Sequence, residues 1–203
     1  MRVRVDGREV ELKEGALLLE AAPVPTLCYH PQTETKGVCR LCTVEVDGRL
    51  VPACATRAEE GMEVRTQTEA LRALRKTLLE WLFLTTDLSL AEGLQALARE
   101  LGAEPGRWGE VPSPRWGRAP IQDNPFFLRD YAKCVTCRRC VDACGDGIMG
   151  VYALTLVDRG LAATVGTPLD LPLPQTPCVF CGNCVQVCPT GALRPLSGEV
   201  GAW

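Results

Sequence analysis

Twelve cysteines fall in three groups of four along a chain of 203 residues: Cys28, Cys39, Cys42 and Cys54; Cys134, Cys137, Cys140 and Cys144; Cys178, Cys181, Cys184 and Cys188. Thiols at this density are either a disulfide framework or a set of metal ligands, and the redox compartment decides between them. The N-terminus, MRVRVDGREVEL, has no apolar core of a signal peptide and reads as strand, turn, strand. A reducing, cytoplasmic setting is therefore expected, and with it metal ligation. The second and third groups share the spacing Cys-x2-Cys-x2-Cys-x3-Cys, and the third ends in Cys188-Pro189. This spacing holds paired [4Fe–4S] clusters in which the fourth cysteine of each run ligates the cluster of the other run. On that pattern Cys134, Cys137, Cys140 and Cys188 hold one cluster, and Cys144, Cys178, Cys181 and Cys184 hold the second. Zinc is disfavoured, because its sites pair separated Cys-x2-4-Cys knuckles or use histidine.

The first group is spaced Cys-x10-Cys-x2-Cys-x11-Cys. It differs from the plant-type Cys-x4-Cys-x2-Cys run but keeps a close pair with one cysteine before it and a distant one after it, which suits a [2Fe–2S] cluster on Cys28, Cys39, Cys42 and Cys54. The elements that must position these thiols are legible around them. Arg2–Val5 and Glu9–Leu12 alternate about Asp6-Gly7, Leu17–Ala22 suits a short helix, and Thr43–Val46 and Arg49–Ala53 flank Asp47-Gly48. A β-grasp [2Fe–2S] ferredoxin domain is expected over residues 1–66. Its first three ligands lie on loops, with Cys54 just after a strand. Cys39 and Cys42 then sit on the loop entering a hairpin, where backbone N–H groups can point at cluster sulfurs.

Residues 67–103 read as a helical connector, in which Ser89-Leu90-Ala91-Glu92 forms a capping box and Leu90, Leu94, Leu97 and Leu101 recur at helical spacing. Residues 104–125, EPGRWGEVPSPRWGRAPIQDNP, form a proline- and glycine-rich linker or strap. There Trp108 and Trp116, with Arg107 and Arg115, either anchor a partner subunit or fold back on this chain. A 2x[4Fe–4S] domain of bacterial type is expected over 126–196, with an insertion at Gly145–Pro177, and residues 197–203 read as a tail whose terminal tryptophan hints at docking. The fold class is thus α+β. A formal charge of −3 without a basic block gives no footprint for nucleic acid or anionic membrane, and no run approaches the roughly 20 apolar residues of a membrane span.

The segments PTLCYHP (Pro25–Pro31), GVCRLCTVEVDG (Gly37–Gly48), VPAC (Val51–Cys54), RDYAKCVTCRRCV (Arg129–Val141) and CVFCGNCVQVCPTGAL (Cys178–Leu193) resemble the N-terminal iron–sulfur module of NAD-linked formate dehydrogenases. Related modules occur in iron-only hydrogenases and in the large iron–sulfur subunit of respiratory complex I. Gly150–Pro172 and DNPFFLRDY at Asp123–Tyr131 look most like the formate dehydrogenase branch. The resemblance implies an electron-transfer subunit carrying one [2Fe–2S] and two [4Fe–4S] clusters. It would work between a separate molybdopterin subunit holding molybdenum or tungsten and a flavin-bearing, NAD-binding subunit.

Two departures matter. Family members usually carry a His-x3-Cys-x2-Cys-x5-Cys site for a further [4Fe–4S] cluster, whereas Arg75–Gly102 contains no histidine or cysteine. Asp87 and Glu92 are poor substitutes, since hard oxygen donors suit such clusters badly. The module is also usually fused to a catalytic domain, but this sequence stops at Trp203, so the chemistry is expected on another polypeptide. Cys144-Gly145, against Cys188-Pro189, is a lesser departure.

Among the remaining residues, His30 is expected to pack or to support the site, because four cysteines already complete it. Arg40, Arg138 and Arg139 either raise cluster potentials or form a solvated face, and Tyr29 and Phe180 shield clusters from water. No nucleotide-binding glycine motif and no nucleophile, base and orienter constellation is visible, so no catalytic residue is assigned. Two other readings stay open: the electron-transfer subunit of a hydrogenase or complex I-like assembly, and a free polyferredoxin or iron–sulfur redox sensor.

Overall fold

The computed structural model describes residues 1–111, 113–115 and 117–196. Trp116 and the tail at 197–203, both considered above as anchors, lie outside the described residues. The chain divides into two compact units, one of residues 1–29 and 35–78, the other of 30–34 and 79 onward.

In the first unit, strands β1 (Arg2–Val5), β2 (Arg8–Glu11), β3 (Thr43–Val46), β4 (Arg49–Pro52) and β5 (Glu63–Arg65) form one mixed sheet in the order β2-β1-β5-β3-β4. β1 and β5 are parallel neighbours at its centre, and both outer pairs are antiparallel hairpins. Each hairpin turns on Asp-Gly with both residues in the left-handed region: Asp6 and Gly7 at φ 48° and 81°, Asp47 and Gly48 at φ 48° and 79°. That two-residue turn matches the twist of the flanking strands and fixes the register. It pairs Val5 with Arg8, so β2 begins one residue earlier than alternation suggested. The same two aspartates hold β5 from either end. Asp6 accepts from Thr66 N at 2.8 Å and Thr66 Oγ1 at 2.5 Å, and Asp47 accepts from Glu63 N at 3.4 Å. Val3, Val5, Val44, Val46 and Val64 form the core with Leu18 and Ala22, the former in the short 3-10 turn Leu18–Glu20. Alternation thus puts one face of the sheet inward.

Helix α1 (Glu69–Thr85) begins beside Thr68, whose Oγ1 accepts from Leu71 N, and the boundary between the two units falls within it, at Leu78–Leu79. Helix α2 (Glu92–Glu100) follows. The expected capping box does not form. The helix starts at Glu92, Ala91 is its cap, and Ser89 Oγ instead accepts from Lys133 Nζ at 2.7 Å. Asp87 accepts from Ser89 N at 2.9 Å and pairs with Lys133, while Gln95 Nε2 donates to Leu88 O at 2.8 Å. A buried lysine needing acceptors has won over the local cap.

The proline-rich strap is pinned to the second unit's part of α1. Glu80, fully buried, accepts from Glu104 N at 3.1 Å and Trp108 Nε1 at 3.0 Å. Trp108 lies against Trp81 with centroids 6.2 Å apart, and the Arg107 guanidinium stands over the Trp108 ring. Arg115 is buried, donating to the carbonyls of Cys134 and Thr85. Of the two alternatives for the strap, Arg115 takes the fold-back one, and Trp108 is held to this chain through its Nε1 while its ring stays 44% exposed.

The remainder of the second unit is closed by β6 (Phe127–Arg129) pairing antiparallel with β9 (Leu193–Pro195), which joins its start to its end. Between them lie α3 (Arg139–Cys144), the hairpin β7 (Thr155–Val157) and β8 (Thr164–Gly166), and α4 (Asn183–Gln186). In the DNPFF segment, Asn124 Oδ1 accepts from the amides of Phe126 and Phe127 at 2.9 and 3.0 Å, and Asp123 accepts from Leu173 N at 2.7 Å and pairs with Arg129. That segment thus ties the insertion back to β6. No helix among the described residues is long and apolar enough to cross a membrane.

Asp6→Ala removes two hydrogen bonds to a charged acceptor and places alanine in the left-handed region, so it should cost about 1–3 kcal/mol, with Asp6→Asn costing less; urea unfolding measures both. Glu80→Ala should speed limited trypsin cleavage after Arg107 several-fold, because the strap loses both of its buried acceptors.

Candidate metal centres

In the first unit Cys28, Cys42 and Cys54 are buried and Cys39 is half-buried. Cys39 and Cys42 come from the loop before β3, which bends through the left-handed region at Gly37 and Arg40, φ 59° and 61°. Cys54 follows β4 in the 3-10 turn Ala53–Ala55, and Ala53 N donates to Cys42 O at 3.1 Å, tying the two ligand segments together. The thiols are linked in a row of contacts, Cys39 to Cys28, Cys28 to Cys54 and Cys54 to Cys42. Cys28 is drawn well down by the thiols of Cys39 and Cys54, which are themselves pushed up by the same contacts, and Cys42 is drawn down to about 7, chiefly by Cys54. The amides of Val38 and Cys39 point at Cys28, and that of Leu41 points at Cys39.

In the second unit the two runs take the same backbone path. Two residues after the first cysteine stands a left-handed residue, Thr136 (φ 53°) in one and Phe180 (φ 54°) in the other, and its amide donates to that cysteine's Sγ at 3.4 Å in both. Four residues after the first cysteine comes a second left-handed residue, Arg138 (φ 68°) or Gly182 (φ 78°), which caps α3 or α4. This repeated turn aims peptide N–H groups at sulfur, as Ala153 N also does at Cys144 (3.2 Å) and Leu193 N at Cys188 (3.5 Å).

Two cavities lie among these cysteines. One is lined by Cys134, Cys137, Cys140 and Cys188, the other by Cys144, Cys178, Cys181 and Cys184. In each, three cysteines come from one run and the fourth from the other. Their walls are otherwise mostly apolar, including Tyr131, Val165 and Leu193 around the first, with Arg138 and Thr190 beside them, and Phe127, Met149, Leu154 and Phe180 around the second, with Asn183. Burial pushes Cys137 and Cys184 each up to about 12, so a thiol there is protonated until a metal takes the proton's place. Among the described residues no three His, Cys, Asp or Glu side chains converge on a single ion position. The thiols stand instead as shells around space. All-sulfur donors, inward-pointing amides and an apolar wall fit polynuclear iron–sulfur cores.

The other candidates separate clearly. His30 Nδ1 accepts from Gln32 N at 3.3 Å, and burial, then the charge of Arg139, lowers its pKa. Arg40 and Arg138 are exposed, whereas Arg139 is buried. Phe180 lines the second cavity and stacks on Phe126, and Tyr29 packs on the first unit's core. Asp87 is engaged by Lys133. Sequence reasoning did not single out Arg75, which is buried on the carbonyls flanking Cys42, and weighed Arg115 as a strap residue without its grip on the carbonyl of Cys134. A signal for Arg75 was present in Leu71-x3-Arg75-x3-Leu79, an arginine in the middle of an apolar helical stripe whose two leucines are fully buried.

Residues 1–69 match the family model of a 2Fe-2S iron–sulfur cluster binding domain, and residues 133–192 match that of a 4Fe-4S dicluster domain. The chain is 34% identical over 93% of its length to the NADPH-Fe(3+) oxidoreductase subunit alpha of Geobacter sulfurreducens, of which it covers 23%. A further relative, the NADP-reducing hydrogenase subunit HndD of Solidesulfovibrio fructosivorans, is 34% identical over 95% of the chain, which covers 36% of it. The mitochondrial NADH dehydrogenase [ubiquinone] iron-sulfur protein 1 of Solanum tuberosum is 28% identical over the whole chain, which covers 29% of it. The chain therefore spans about a quarter to a third of these relatives. Among solved structures, a chain of an NAD+-reducing [NiFe]-hydrogenase in the H2-reduced state superposes with a TM-score of 0.83 at 29% identity, covering 98% of this chain and 88% of that one. Residues 1–69 thus belong to the 2Fe-2S iron–sulfur cluster binding domains and residues 133–192 to the 4Fe-4S dicluster domains, a composition of one [2Fe–2S] and two [4Fe–4S] clusters, and nearly the whole chain is similar to a part of these NAD(P)-linked oxidoreductase and hydrogenase subunits.

Proposed function

We propose that the chain relays electrons one at a time between a flavin-bearing, NAD(P)-linked subunit and a separate catalytic subunit, making and breaking no substrate bond itself. The observation that carries this reading is the pair of cavities in which each run's fourth cysteine joins the other run's three. Such interleaving brings two cores close together in one small domain. In this reading Cys28, Cys39, Cys42 and Cys54 hold the [2Fe–2S] cluster, Cys134, Cys137, Cys140 and Cys188 one [4Fe–4S] cluster, and Cys144, Cys178, Cys181 and Cys184 the other. The clusters would supply the redox change; the chain's part is to supply thiolates, aim amides at sulfur and exclude water, which sets the potentials.

The catalytic partner in this reading is a molybdenum or tungsten formate dehydrogenase, supported by Asp123–Tyr131 and Gly150–Pro172. A second reading, in which the partner is a hydrogenase, is supported by the 0.83 superposition on the NAD+-reducing enzyme and the likeness to the NADP-reducing one.

Isolated anaerobically, the chain should carry about ten iron and ten sulfide. Cys134→Ser and Cys188→Ser should disturb one [4Fe–4S] signal in electron paramagnetic resonance, and Cys144→Ser and Cys178→Ser the other. Grouping of Cys144 with Cys134 instead would refute the crossed assignment. Anaerobic affinity capture of the chain from its host should recover a molybdenum- or tungsten-containing partner with formate-dependent dye reduction. Nickel with hydrogen-dependent activity would select the second reading, and recovery of the chain alone would sink the relay role.

A further inference from the structure

Arg75 occupies an unusual place for a charged residue. It lies on α1 one turn after Leu71 and one before Leu79, both fully buried, and is itself only 3% exposed. All three groups of its guanidinium go to main-chain carbonyls: Nε to Leu41 O at 3.1 Å, Nη2 to Thr43 O at 2.8 Å and Nη1 to Thr66 O at 2.8 Å. None goes to a carboxylate. Leu41 and Thr43 are the neighbours of Cys42 on either side, so the cation straddles the peptide units that carry this thiol. Neutral carbonyls satisfy its protons without cancelling its charge, and an uncompensated buried cation is costly. Burial works against the charge of Arg75 and lowers its pKa, and what opposes burial is negative charge on the Cys42 thiolate, whose flanking carbonyls the guanidinium grips, and then on Asp6.

We propose that Arg75 is the resident countercation of the [2Fe–2S] cluster, holding the Cys42 loop in place and raising the cluster's reduction potential. The inference rests on assigning that cluster to Cys28, Cys39, Cys42 and Cys54. Two ferric ions, two sulfides and four thiolates make a dianion, and uptake of one electron from an external donor makes a trianion. A fixed positive charge behind Cys42 favours the trianion more than the dianion. Sequence position agrees with this role, since leucine would pack the stripe better in the absence of an anion.

The test is a dye-mediated anaerobic potentiometric titration of the full chain with its clusters, reduced by dithionite and followed through the paramagnetic signal of the reduced [2Fe–2S] cluster. Arg75→Gln keeps hydrogen-bond donors and removes the charge; Arg75→Lys keeps the charge. In Arg75→Gln the equilibrium constant for reduction should fall about tenfold, about 59 mV for a one-electron couple, with both [4Fe–4S] signals unmoved. Arg75→Lys should stay near wild type. An unchanged potential in Arg75→Gln overturns the proposal. If Arg75→Gln folds by circular dichroism but loses the cluster while Arg75→Lys retains it, the need for a cation is supported. If both lose it, the guanidinium is scaffolding only and the proposal fails. Absence of the [2Fe–2S] signal from the wild-type chain would remove the cluster assignment itself, and the proposal with it.

Discussion

A thiolate in a protein interior is stable only if something replaces the water it has left, and most of the local structure around the cysteines answers that requirement. Burial first, and then the neighbouring cysteines, drive Cys137 and Cys184 up to about 12. Iron supplies the main compensation, but the anionic cluster as a whole still needs dipoles and cations around it. The chain provides peptide N–H groups at both runs, at Cys144 and at Cys188, and buried guanidinium groups behind Cys42 and Cys134. Left-handed backbone at Arg40, Thr136, Arg138 and Phe180 is the geometric consequence, because only such turns swing successive amides toward a sulfur one or two residues away. These side chains cost about 1 kcal/mol each in that conformation, which the surrounding packing has to offset.

The two units meet the requirement with different architectures that share one economy of parts. In the β-grasp sheet, two identical Asp-Gly turns set the register of the hairpins, and their carboxylates hold the ends of the central strand β5. Strands then carry the walls while the intervening loops carry the thiols. In the dicluster domain there is little regular structure to lean on. The β6–β9 pair and the Asp123, Asn124 and Arg129 lock close the chain on itself, and Cys134, Cys140, Cys184 and Cys188 become part of the hydrophobic core with Phe127, Tyr131, Leu173 and Val187. Its packing is expected to depend on the metal, since the cavities that thiols line are otherwise voids.

The stretch in which the sequence resemblance would have placed a further cluster site is helix and strap. Lys133, just before Cys134, is satisfied by Asp87 and Ser89, and Glu80 holds Glu104 and Trp108. Buried charge in this stretch is paired within the chain.

The cysteine spacings by themselves determined the number and kind of clusters, because ligand reach around a cubane or a two-iron core permits few spacings, and the Asp-Gly turns within alternating strands determined the β-grasp hairpins. Both are local signals, the longest of them running from Cys28 to Cys54. The crossed grouping of Cys188 with Cys134 and of Cys144 with Cys178 was also legible in the spacing, and the chain realises it by closing through β6 and β9. What only the tertiary structure decided was which other distant groups share a space. Ser89 looked like a helix cap and became an acceptor for Lys133, 44 residues away, because a buried ammonium group outweighs one capping bond. Arg115 and the indole N–H of Trp108 could be read from the sequence as facing either a partner or this chain, and the fold set them on the Cys134 carbonyl and on Glu80, 19 and 28 residues away. Arg75 was visible as an anomaly in an apolar stripe, but its meaning waited on the fold that set it across the peptide units of Cys42.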